Sequence, residues 1–135
     1  MNKKLDEPIS DGSSSFSVGQ KQLLCLARAI LRKNKILVLD EVTANVDMKT
    51  DAMIQEAIWK NLSTCTILVI AHRLGTVIDS DKILALRGGE FIEFDHPHLL
   101  LQKESGYFAE MVDATGRVAA QCLRKKAEEA YLKTH

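Results

Sequence analysis

At 135 residues the chain is long enough for one domain with a hydrophobic core and too short for two of ordinary size. Its 18 lysines and arginines balance 18 aspartates and glutamates, so no net field draws it to nucleic acid or to an anionic membrane. Its apolar runs fall far short of the roughly twenty residues that cross a bilayer, so direct membrane insertion is not expected.

Residues 1–15 mix charges with Pro8, Gly12 and serines, show no apolar period, and read as a flexible lead without a fold of its own. Ser17-Val18-Gly19-Gln20 has the form of a capping box, in which the Ser17 hydroxyl and the Gln20 amide satisfy the first free amides of a helix. Leu23, Ala27, Ile30 and Leu31 follow as an apolar stripe. Arg28, Arg32, Lys33 and Lys35 crowd toward the helix's negative end, which lies near Asn34.

Ile36-Leu37-Val38-Leu39 comes next, an aliphatic run with no polar alternation, and it predicts a strand buried on both faces of a parallel sheet. Asp40 is then the last strand residue and Glu41 the first of the loop. Acids at the carboxyl end of such a strand lie where open α/β sheets bind ligands. The same letters, taken alone, equally suit an ordinary loop after a core strand.

Residues 42–47 read as a loop, 49–61 as a helix with Met53, Ile54, Ala57 and Ile58 on its apolar side, and 66–71 as a second buried strand. The span 36–71 has the length of a βαβ unit, whose right-handed crossover brings the strand ends at Asp40-Glu41 and His72 to one edge. A lone histidine after a strand otherwise suits a structural role. A short helix around 76–80 precedes a third strand over 82–87, and Gly88-Gly89 signals a hairpin with 90–94 returning antiparallel. His96-Pro97-His98 is too sparse for a metal site and reads as a loop. Residues 99–102 and 104–112 read as short amphipathic helices, and 117–134 as a solvent-exposed terminal helix or half-ordered tail. Cys25, Cys65 and Cys122 lack metal-ligand spacing and read as ordinary thiols of a reducing compartment.

Phe16-Ser17-Val18-Gly19-Gln20, Ile36 to Glu41, Ala44-Asn45-Val46-Asp47 and His72-Arg73 resemble, in that order, the signature, Walker B, D-loop and H-loop of an ATP-binding cassette (ABC) ATPase. The wording from Leu26 to Lys33 and from Ala71 to Leu74 looks like the second nucleotide-binding domain of the multidrug resistance-associated, or C-subfamily, exporters. The likeness covers about residues 12–112. It implies an α/β fold: a partial P-loop NTPase in which helices flank a parallel sheet, with the domain over 16–112 and a terminal segment over 113–135. It implies ATP and Mg2+ as cofactors of the complete domain. Asp40 would hold Mg2+ through water, Glu41 would act on the attacking water, and His72 would contact the γ-phosphate. Ser17, Gly19 and Gln20 would close over ATP held by a partner nucleotide-binding domain in a sandwich dimer, and Asp47 would couple the two sites. The implied setting is the cytoplasmic face of a membrane, beside the transporter's transmembrane domains.

The sequence departs from that pattern in three places. Val18 stands where the common signature has glycine, which restricts the backbone and the approach of phosphate. In these exporters a variant signature in the second domain goes with a weakly hydrolysing site. Val42 replaces the usual alanine. None of the seven glycines opens a G-x-x-x-x-G-K-[ST] loop, and the aromatic and glutamine elements that precede the signature are also missing.

The reading is therefore the carboxyl-terminal half of a nucleotide-binding domain, beginning at Met1. The P-loop strand would be missing from mid-sheet, leaving the chain marginal alone and without useful ATP affinity. Three function classes follow. One is a piece of an exporter ATPase whose complete form hydrolyses ATP to export organic anions or drugs. Another is a non-catalytic module lending the signature to a partner domain. The third is a DNA-repair or chromosome-maintenance ABC ATPase, whose long heptads are not visible here.

Overall fold

A computed structural model describes residues 17–40, 48–62 and 64–134. They fall into two units divided between Ile70 and Ala71. The strands form two separate two-stranded sheets, one in each unit.

In the first unit α1 (Val18–Arg32) starts at the capping box read from the sequence and stops at Lys33, whose φ of 50° is left-handed. Its buried side is Leu26, flanked by Leu23 and Ile30. The stripe read from the sequence is rotated from this one, because Ala27 and Leu31 face solvent. Apolar residues occupy both the i+3 and the i+4 rows of this helix, so periodicity alone left two faces to choose from.

α1 packs with α2 (Met48–Asn61), whose Ile54 and Ile58 join Leu62 in the same cluster, while Met53 is exposed. β1 (Ile36–Asp40) and β2 (Thr66–Ile70) pair in parallel, running in register from Ile36 against Thr66 to Asp40 against Ile70. Leu37, Leu39 and Ile67 face α1 and α2.

The opposite face corrects the expectation of strands buried on both sides. Ile36, Val38, Leu68 and Ile70 are 67, 56, 54 and 49% exposed. Both described helices of the unit share one cluster with the inner face, so one layer of helix covers one face of sheet. The aliphatic run is real; its second cover is not within this unit's described residues.

In the second unit α3 (Leu74–Val77) begins two residues before the helix read from the sequence. β3 (Ile83–Arg87) and β4 (Glu90–Asp95) make the antiparallel hairpin across Gly88 and Gly89. Their φ values of 60° and 84° fit the two-residue turn that matches strand twist. A bulge after Ala85 leaves Ile92 opposite no single partner.

Ile83 and Ala85 face a core of Ile78, Leu100, Phe108 and Val112. Glu93, only 9% exposed, accepts the Phe108 N–H at 2.9 Å and so caps α5 (Tyr107–Asp113) from a neighbouring strand. Asp95 Oδ1 accepts from Lys82 Nζ at 2.9 Å and from the His96 N–H at 2.8 Å. These two bonds, the lysine's first, hold its carboxyl below the usual aspartate range.

The structure corrects the reading of His96-Pro97-His98 as loop. It starts α4 (Pro97–Leu101): Pro97 takes the first turn, where its missing N–H costs nothing, and His96 Nδ1 accepts the His98 N–H at 3.1 Å. A ring nitrogen does here what a serine hydroxyl usually does, so no standard cap residue marked the start. Nor is α6 (Arg117–Thr134) a solvated rod, since Ala120 and Ala127 are buried in the core with Leu123 against it. No described helix is long and apolar enough to cross a membrane.

The exposures make a direct prediction for the first unit. Ile54, fully buried, should cost about 2–5 kcal/mol as Ile54→Ala, whereas Val38→Thr on the open face should stay within about 0.5 kcal/mol of the parent. Urea unfolding of the two variants checks this; equal losses would mean that the outer face is packed.

Candidate functional site

The N-terminus of α1 is built by reciprocal bonds. The Gln20 N–H donates to Ser17 Oγ at 3.2 Å, the Ser17 N–H donates to Gln20 Oε1 at 2.9 Å, and the Lys21 N–H closes the first turn on Ser17 O at 3.0 Å. The cap uses Ser17 Oγ as an acceptor, so its hydroxyl proton is not spent there, and neither is the Gln20 amide NH2. Ser17 and Gln20 are exposed, while Gly19 is buried. No acidic residue stands in the first turn, so nothing from the helix itself neutralises its positive end. That end can receive an anion.

Asp40 closes β1 and is exposed. In the parallel register it lies opposite Ile70, the last residue of β2, so both strands end at the same edge. His72 is the second residue past Ile70 and is also exposed. It belongs to the second unit. Glu41 and Asp47 lie outside the described residues. The structure thus brings Ser17, Gly19 and Gln20 onto one helical turn and sets Asp40 beside the end of its partner strand.

Among the described residues no group of three or more His, Cys, Asp or Glu side chains could hold a metal ion. Mg2+ keeps most of its own water and takes one or two carboxylates together with phosphate oxygens. Asp40 is a carboxylate of that kind. The three cysteines are free thiols. A depression of about 350 Å3 against α4 and α6 is lined by His98, Leu101, Arg124 and Glu128 and touches none of the motif residues.

Comparison with known proteins decides the family. The family model described as ABC transporter matches residues 1–44. The chain is 51% identical over 96% of its length to human ATP-binding cassette sub-family C member 4, of which it covers 10%. It is 50% identical over 94% of its length to the probable multidrug resistance-associated protein lethal(2)03659 of Drosophila melanogaster, covering 9% of that protein. This chain belongs to the C subfamily of ABC transporters.

Within the subfamily the likeness extends to Bile pigment transporter 1 of Saccharomyces cerevisiae, 51% identical over 86% of this chain and 7% of the yeast protein. The chain spans about a tenth of the length of the curated relatives it matches. As C-subfamily sequence it is material of the nucleotide-binding domain, with the mixed α/β character and the small parallel sheet expected of it.

Sequence reasoning missed the hold that α6 has on the segment after His72. Lys126 Nζ donates to Gly75 O at 3.2 Å and forms an ion pair with Asp79 Oδ2 at 3.1 Å, across 51 and 47 positions of chain. No local pattern encodes such a pair; Lys126 looks like any other charge in a mixed-charge helix.

The two roles of Ser17 separate by substitution. Ser17→Asp should keep the cap and the stability of α1 while placing a negative charge where an anion would sit, and Ser17→Ala should cost about 1 kcal/mol. Urea unfolding and amide exchange at Gln20 and Lys21 read the cap. If Ser17→Ala left both unchanged, the capping bonds would not be holding the helix start.

Proposed function

We propose that this chain supplies one side of the ATP site in the nucleotide-binding domain of an exporter, with Asp40, Glu41 and His72 at the domain's own nucleotide and Ser17, Gly19 and Gln20 at the partner's. The observation that carries the reading is the end of the parallel pair: an exposed carboxylate, Asp40, in register with the last residue of β2. In phosphoryl transfer the protein does little covalent chemistry and works by positioning and by neutralising charge. Bound Mg2+ neutralises charge on the phosphates. Asp40 would hold that ion through water, Glu41 would orient the attacking water and take its proton, and His72 would donate to the γ-phosphate.

The capping box supports the role in trans. Its unspent hydroxyl and amide protons, at a helix N-terminus without acids, suit the phosphate of a nucleotide held by another domain. Asp47 couples the two sites of the resulting sandwich, and hydrolysis there drives export of organic anions or drugs by the complete transporter. The whole then works at the cytoplasmic face of a membrane, with the transmembrane domains as further partners. Residues 16–112 form the nucleotide-binding part in this reading, with 113–135 as its terminal segment.

The chain alone lacks the affinity for this. Millimolar binding needs about 4 kcal/mol, and a helix N-terminus gives up to about 2 kcal/mol in its best geometry. Asp40 repels the triphosphate until Mg2+ arrives. The same exposed capping box favours a second reading of the isolated chain, as a module that lends its signature to an intact partner domain without hydrolysing ATP itself.

Calorimetry of the chain with Mg-ATP should give no binding tighter than about 1 mM, an affinity worth about 4 kcal/mol. An immobilised intact C-subfamily nucleotide-binding domain should retain the chain with Mg-ATP, release it without, and fail to retain Ser17→Arg. Submillimolar binding by the chain alone, or retention indifferent to ATP and to Ser17→Arg, would contradict the assignment.

A further inference from the structure

α3 is a single turn, and one turn of helix does not hold itself in water. Its main-chain bonds run from the Thr76, Ile78 and Ser80 amides to Arg73, Leu74 and Val77 carbonyls. Ile78 is fully buried in the second unit's core, with Leu74 and Val77 packed against it, which fixes one side of the turn. The other side is held by Lys126 alone among the described ion pairs. Its ammonium bridges the Gly75 carbonyl and the Asp79 carboxylate. A cation favours that position because the last carbonyls of a helical turn have no amide ahead of them.

Lys126 is itself on a fixed element. Arg124, two residues earlier, donates to Leu101 O at 2.7 Å and to both oxygens of Asp113 at 2.9 and 3.0 Å. Tyr131, five residues later, has the rings of His96 and His98 at 5.0 Å each, one edge-on and one stacked. α6 is thus tied to the end of α4, to α5, and to the start of α4. Lys126 extends that grip to the turn three residues beyond His72.

We infer that Lys126 is a positioning residue for His72: by fixing Gly75 and Asp79 it sets the backbone from which His72 reaches the nucleotide. α6 then becomes a control element, because loosening its packing frees the segment that bears the histidine. The inference rests on the role proposed above for His72, but the tether itself does not depend on any nucleotide.

The test is amide exchange and histidine NMR on the 135-residue chain without nucleotide. Lys126→Met should speed exchange at Thr76, Ile78 and Ser80 about three- to tenfold, the range for losing a half-exposed charged hydrogen bond. It should also shift the His72 imidazole resonances. Leu100 and Glu110 amides should be unaffected. Lys126→Arg should restore both readouts, and Lys125→Met on the same helix should change neither.

Unchanged exchange at 76–80, faster exchange spread evenly over α4 and α5, or a motionless His72 signal beside a loosened turn would each overturn the inference. Failure of the ATP-dependent capture experiment would instead strike the nucleotide reading and leave these exchange results as they are.

Discussion

The parallel pairing of β1 with β2 is the constraint on which the first unit depends. Two parallel strands cannot be joined by a tight turn; the chain must return to the starting edge, and here it does so through α2. The return fixes two things together. It lays α2 on one face of the pair, where Ile54 and Ile58 complete the cluster begun by Leu26 on α1. It also delivers the carboxyl ends of both strands to a common edge, with Asp40 opposite Ile70. A carboxylate that is merely last in an apolar run has no obvious task. A carboxylate at an edge where two parallel strands end together stands where open α/β sheets bind ligands.

The same topology explains what is left uncovered. A single crossover layer packs one face, so Ile36, Val38, Leu68 and Ile70 face outward, a larger apolar patch than scattered surface aliphatics would make. The hairpin in the second unit shows a comparable surface in Leu84, Leu86, Phe91 and Phe94, while Ile83 and Ala85 are turned to the core. Both faces alternate in the way strands must, and both expose aliphatic or aromatic side chains where a monomeric surface would carry polar ones. The chain covers about a tenth of the length of its relatives.

Much of this was legible in the residues. The Ser17 and Gln20 capping box, the strand ending at Asp40, the Gly88-Gly89 hairpin and the helix over 117–134 are local patterns, set by hydrogen bonds within a few positions or by periodicity. The family likeness rested on four such stretches in order, and the relatives support it across nearly the whole chain. What was not legible depends on partners distant in sequence. An apolar run does not say how many layers will cover it, so burial of β1 on both faces was misread. Two apolar rows on α1 left its buried face undetermined until α2 chose Leu26 over Ala27 and Leu31. His96 escaped notice as a cap because its ring nitrogen is not a usual capping acceptor, and Lys126 because its partners are about fifty residues away.

The central claim is that Asp40, Glu41 and His72 act on one nucleotide. It is tested most directly by joining this chain behind the P-loop half of a C-subfamily nucleotide-binding domain and measuring Mg2+-dependent ATP hydrolysis. The account predicts turnover in the joined protein and a loss of about a hundredfold or more in both Glu41→Gln and His72→Ala, with Asp40→Asn raising the Mg2+ concentration needed for turnover. Hydrolysis that proceeds equally well in all three variants would contradict it.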